Sequence, residues 1–339
     1  MAANYSTGTA TDQSDLLQKL VTFLVGQGWT NNMSQTDGSG WRAHLSKGSQ
    51  YINLRAYFNG DTLANIWTTS NGGATQKAGI ALYLGTGYNS ASAWKAQAGG
   101  PIRTGGTDTV GANIVIPSNI ISSYHFFDDG ADNIVVVIEK SAGVYGAMGW
   151  GKLEAAGTIT GGDYFFGQSS GYYTGDVTTA ATPYGYSVNG GVPCSYGNYY
   201  YNINSLHSRA YFRADVDTFT GKWIGCGSGT DTFTGTGWAG YSEVPGVSTP
   251  TTDVPIYNLL MDRTSNAANG RGILLPINFY AARDAGGVSL VGRVPTVYAT
   301  RKIYPGAGIV TYGTKNFMAF PAFYGSTNTP CSFLIPKLA

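Results

Sequence analysis

Three histidines, His44, His125 and His207, are the side chains whose charge changes most easily near neutral pH. None lies in an HExxH or HxH pattern, the spacing that brings two imidazoles to one zinc ion. His125 sits in Tyr124-His125-Phe126-Phe127, where a partly buried, hydrogen-bonded histidine is expected. Catalysis by it would need partners that the sequence does not place. Acid pairs raise glycoside hydrolysis, which uses two carboxylates across a sugar bond. Asp215 and Asp217, two apart on an expected strand, would share one face, and Glu139 and Glu154 flank a hairpin-like segment. Neither pair has a separation that the sequence fixes. Asp128, Asp129, Asp132 and Asn133 could ligate calcium through oxygen, but they lack EF-hand spacing and read better as a turn. Cys194, Cys226 and Cys331 form no CxxC, so plain thiols are expected, with a Cys194–Cys226 disulfide left open. No GxSxG or P-loop occurs, and the glycine-rich stretch 225–237 lacks the Lys-Ser/Thr that would close a phosphate loop. The expectation is no catalytic residue, no cofactor site and no metal site.

What remains distinctive is aromatic enrichment. Tyr, Trp and Phe make up 13% of 339 residues, with 24 Tyr and 7 Trp. Most would pack in a core, while exposed ones suit protein interfaces and sugar stacking. Tyr199, Tyr200, Tyr201, Trp223 and Trp238 are the expected partner-contact residues. The two tryptophans end a near-repeat, DTFTGKW at 217–223 and DTFTGTGW at 231–238. One pair is too little for a solenoid, and two similar strands or hairpins are expected instead.

The elements that position these residues are mostly strands. Glycine is 49 of 339, charged residues are only 12%, and three of the 19 acidic residues are Glu, a composition poor in helix formers. One helix is expected between 12 and 28, where Leu16, Leu17, Leu20, Val21 and Leu24 recur at helical spacing. Thr11, Asp12 or Ser14 can cap it, and Gly26 and Gly28 can end it. Beyond it the period becomes two. Ile52, Leu54, Ala56 and Phe58 are assigned to a core face; Tyr51, Asn53, Arg55 and Tyr57 to the outside. The run 133–138, Asn-Ile-Val-Val-Val-Ile, reads as a strand buried on both faces. Further strands are expected at 80–84, 273–280, 288–291 and 316–323, with a Pro/Thr-rich connector at 245–255. The fold class is therefore mainly β with one N-terminal helix. An α+β body spans 1–167, a Gly/Tyr-rich β insertion or variable contact region 168–250, and a small C-terminal β-barrel or β-sandwich domain 251–339.

A net charge of +1 offers no basic field for nucleic acid. No apolar run reaches the length of a membrane span, and the first residues, MAANYSTGTATDQSD, lack the basic and apolar regions of a signal peptide. Three segments carry a resemblance: DLLQKLVTFLVGQGW at 15–29 with WRAHLSKGSQYINLRAYFNG at 41–60; 124–167, from YHFFDDGADNIVVVIEK to GGDYFFG; and 272–323, from GILLPINFYAARDAGG to NFMAFPAF. In texture and order they resemble virion structural proteins of tailed bacteriophages, found among tail and baseplate genes. The resemblance implies a non-enzymatic assembly role, repeated around a symmetric particle as a homo-oligomer. Its partners would be copies of itself and other virion proteins. It would be assembled in host cytoplasm and located in the virion, most simply in the tail or baseplate. A capsid decoration or cement protein and a carbohydrate- or receptor-binding β module are the alternatives, the last with a host surface glycan as ligand.

Overall fold

The computed structural model describes residues 4–58, 61, 78–101, 111–116, 121–155, 161–168, 208–215, 221, 223–226, 236–241, 274–282, 288–300, 304–324 and 329–337. Strand β1 (Asn4–Ala10) leads into helix α1 (Gln13–Gly26). Asp12 caps the helix by accepting from the Asp15 amide at 2.8 Å, which satisfies one of the free N–H groups of its first turn. Gly28, at φ +85°, turns the chain out of the helix, a backbone angle that costs glycine little. Trp29 is buried directly after it.

The next five strands form an antiparallel meander: β2 (Thr30–Asp37), β3 (Gly40–Lys47), β4 (Gln50–Tyr57), β5 (Gly79–Gly85) and β6 (Ala112–Val115). The central sheet follows with β7 (Ile121–Asp128), β8 (Ile134–Ser141), β9 (Val144–Lys152), the two-residue β10 (Glu154–Ala155), β11 (Gly161–Gln168), β12 (Ser208–Ala214), β13 (Trp223–Cys226) and β14 (Thr236–Tyr241). The last strands are β15 (Leu275–Ala282), β16 (Val288–Thr300), β17 (Gly308–Tyr312), β18 (Lys315–Tyr324) and β19 (Thr329–Pro336). Backbone pairing runs without a break in the order β1-β7-β8-β9-β11-β12-β13-β14-β15-β16-β19-β18-β17. All these pairs are antiparallel except β13–β14. The near-repeat thus leads into two adjacent parallel strands. Hydrogen bonds link the described strands of 168–250 to those on either side.

This ribbon folds back on itself. The strands β7, β8, β9, β11 and β12 lie between two apolar cores. On one side Tyr124, Phe126, Ile134, Val136, Ile138, Met148, Trp150 and Phe165 meet α1 and the β3–β6 sheet. On the other side Phe127, Val135, Val137, Ala147, Tyr164, Phe166 and Phe212 meet Ile277, Phe279, Val291, Met318, Phe320 and Phe333 of the C-terminal strands. Alternation along each central strand sends successive side chains to opposite cores. The strand at 134–138 is buried on both faces, as its β-branched run implies. No barrel closes among the described residues; the C-terminal strands instead stack as an open layer. Helix α1 fills the wedge between the meander and the central sheet, with Phe23 5.6 Å from Phe126 and Trp29 6.2 Å from Trp150.

One assignment on β4 needs correction. Ile52, Leu54 and Ala56 do face the apolar core, but the opposite face is not solvent-exposed. Asn53, Arg55 and Tyr57 are buried as well. The segment 86–101, which contains a 3-10 turn at Trp94–Ala96, lies over them.

Candidate functional site

The covered face of β3, β4, β5 and β6 carries a layer of buried polar side chains, set side by side by the register His44↔Asn53 and Arg42↔Arg55. His44 Nδ1 and Asn53 Oδ1 are 2.6 Å apart. An amide oxygen only accepts, so the imidazole carries its hydrogen on Nδ1 and leaves Nε2 bare. Burial pushes the His44 pKa below the ordinary histidine value, more strongly than the Asn53 contact raises it. The Tyr88 ring lies 5.2 Å from the imidazole. Beside them Arg55, with no exposed surface, donates to the carboxylates of Asp37 and Asp61 and to the Asp37 carbonyl at 2.7 Å. Tyr57 accepts from the Asn113 amide at 2.8 Å, and burial drives its phenol far up.

The covering segment is fastened at both ends. Its stem closes through Thr86 N to Ala98 O at 2.8 Å. Gln97 bonds Asn89 through both backbone groups and reaches Ser92 O. The Tyr83 hydroxyl donates to Trp94 O, and Arg42 reaches Ser92 O. From the central sheet, Trp223 Nε1 and Arg213 Nη2 both donate to Gly99 O, at 2.7 and 2.6 Å, with the guanidinium 4.3 Å from the indole centroid. Such closure by a loop's own side chains is the pattern of an Ω-loop.

A second polar junction lies at the edge of the central sheet. His125 Nδ1 is 2.7 Å from the Tyr5 hydroxyl, which also points its hydrogen at Met318 Sδ, 3.7 Å away. The Tyr5 ring stacks over the imidazole at 6.0 Å, and Phe320 lies 5.1 Å away on the C-terminal layer. Among the described residues, Nε2 of His125 has no hydrogen-bond partner. Burial holds the pKa at about 4, with Glu139 opposing weakly.

Of the expected contact residues, Trp223 is 3% exposed and spends its indole on Phe165, Arg213 and Gly99. It is a packing residue of this chain. Trp238 lies on β14. Tyr199, Tyr200 and Tyr201 lie outside the described residues, as do Cys194, His207 and Asp217. Cys226 is on β13 and Cys331 on β19. Of the acid pairs, Asp215 is exposed just after β12, and Glu139 and Glu154 are each engaged elsewhere. Glu139 accepts from Ser122, Ser123 and the Gly143 amide, and Glu154 pairs with Arg293 at 2.7 Å. The aspartates at 128–132 form the expected turn. Asp128 accepts from Gly130 N, Asp129 from Ala131 N and Asn133, and Asp132 pairs with Lys47 at 2.9 Å. Among the described residues no group of three His, Cys, Asp or Glu side chains is placed to hold a metal ion. No described helix is long and apolar enough to cross a membrane.

The sequence pattern assigns Arg55 to the outside face, where the structure buries it, and singles out neither Asp37 nor Asp61. The available signal was an arginine in the middle of an apolar strand, with aspartates in the flanking turns. No protein-family model matches the chain, and no curated protein matches it.

Proposed function

We propose that this chain is a non-enzymatic structural component of a tailed-phage particle, working in the tail or baseplate through interfaces with its own copies and with other virion proteins. One observation carries the reading. The three segments that resemble virion proteins are the ones that build the three packed layers: α1 with β3 and β4, then β7 to β11, then β15 to β18. The likeness therefore falls on the framework rather than on a loop. The polar groups described above support the same reading, since their hydrogen bonds fasten strand to strand and loop to sheet. The β1 and β17 ends of the ribbon suit lateral contacts, which repeat by symmetry in an assembly.

Gold-tagged antibody against the chain, imaged on intact particles by electron microscopy, tests this. Label at the tail end is the expected result. Label over the capsid would replace it with a decoration role. No label, with an antibody known to bind the native protein, would overturn both.

A further inference from the structure

We propose that β1 is an acid-released latch: it seals His125 under Tyr5 at neutral pH and lifts from β7 when the imidazole takes a proton. The two states of this histidine differ in what the fold can offer them. Neutral His125 is well served. Its Nδ1 shares a hydrogen bond with the Tyr5 hydroxyl, which also has Met318 Sδ within reach, and the ring packs against Phe320. A protonated ring carries an N–H on both nitrogens, and among the described residues no acceptor is in reach of Nε2. The charge also has to leave water, because the imidazole is 6% exposed.

The groups around it do little to hold that charge. From β1 come Tyr5 and Thr7, both neutral, and the Thr7 hydroxyl is already given to Tyr124 O at 2.7 Å. From β18 come Met318 and Phe320, and from β9 Tyr145, which meets the Phe320 ring at 5.2 Å. Glu139 on β8 is the acidic group acting on the ring, and its carboxylate is turned to Ser122, Ser123 and Gly143. Lys337, 5.3 Å from the Tyr5 ring, adds a like charge beside the lid.

Relief comes from the element that moves most easily. The C-terminal layer is held by a full apolar core, including Phe279, Phe320 and Phe333. β1 is an outer strand paired to β7, and only Ala10 of its seven residues is buried. Edge strands of this kind open locally at little cost. Lifting Tyr5 hydrates the ring and leaves the β7 edge, with its unpaired N–H and C=O groups, ready to accept another strand. A fall in pKa from 6.5 to about 4 means that the closed state binds the proton roughly 300-fold more weakly than an open one. That ratio is the most by which acid can raise the open population.

Hydrogen exchange resolved by residue on the whole chain, corrected for intrinsic rates, reads this directly. Between about pH 7.5 and about pH 4, protection at Tyr5 to Gly8 is expected to fall by up to about 150-fold, since the closed state is itself half protonated at the lower limit, while β8 stays protected. His125→Gln, which keeps a hydrogen-bonding side chain without the titration, is expected to flatten the response. Tyr5→Ala removes the lid, and the His125 ring, followed by NMR, is expected to titrate closer to an ordinary histidine. Unchanged β1 protection in acid, an equal loss in His125→Gln, or loss of β8 in step with β1 would each overturn the latch. So would a wild-type ring that titrates near 6.5 with β1 still closed.

Discussion

Arg55 shows how far one side chain can depend on its neighbours. Its guanidinium has no exposed surface and lies between Asp37 and Asp61. Removing the cation leaves carboxylates that are themselves mostly out of water. Arg55→Leu is therefore expected to cost about 3–5 kcal/mol of folding stability, measured by urea unfolding. Gly79 gives a steric counterpart. A Cβ there would sit 2.1 Å from the Ile114 carbonyl oxygen and 2.7 Å from the Tyr57 hydroxyl. The backbone oxygen belongs to the paired strand β6 and has little freedom to yield. Gly79→Ala is expected to lower stability by about 1–3 kcal/mol, read as a fall in urea midpoint with the slope unchanged. His125 contributes a pH dependence of its own. Its folded pKa of about 4 lies below the ordinary 6.5, so the unfolded chain binds more protons in that window. Stability is held above pH 6.5 and lost as pH falls toward 4, by about 3 kcal/mol in all. Urea unfolding of the wild type and of His125→Gln across that range would isolate this share.

Among the elements, α1 and β8 were the most legible in the sequence. Leucines at helical spacing behind an Asp cap describe the helix without help from the rest of the chain. Five β-branched residues in a row describe a strand with apolar material on both sides. The second face of β4 was not legible. Its alternation of Ile52, Leu54 and Ala56 with Asn53 and Arg55 is the pattern of a half-solvated strand. Only the fold brings segment 86–101 over it, and Arg213 and Trp223, more than a hundred residues further on, help to fasten that segment down. The same distance hid the part played by Trp223. Its local sequence is that of a loop aromatic, while its partners Phe165, Arg213 and Gly99 come from three other places in the chain. Trp223→Ala is expected to cost about 3–5 kcal/mol. It should also make segment 86–101 the first site of limited proteolysis, since the indole and its bond to Gly99 O are lost together and Arg213 loses the ring it lies over.

At the scale of the whole molecule, the continuous backbone ladder and the shared central sheet imply one cooperative unit. Tryptophan fluorescence reports the α1 side through Trp29 and Trp150, and far-UV circular dichroism reports all strands. The two are expected to give coincident urea transitions. A separate early transition in the dichroism would show that the C-terminal layer melts alone. The central sheet has a mechanical meaning too. β8 is gripped on both faces and hydrogen-bonded along both edges, to β7 and to β9. A pull on α1 is carried through interdigitated side chains into β7 and β8 and out again through Phe127, Val135 and Val137 to the opposite layer. Tension entering one face of the molecule thus leaves by the other with no loop in its path. The chain is built to pass load on, much as a rivet does between two plates.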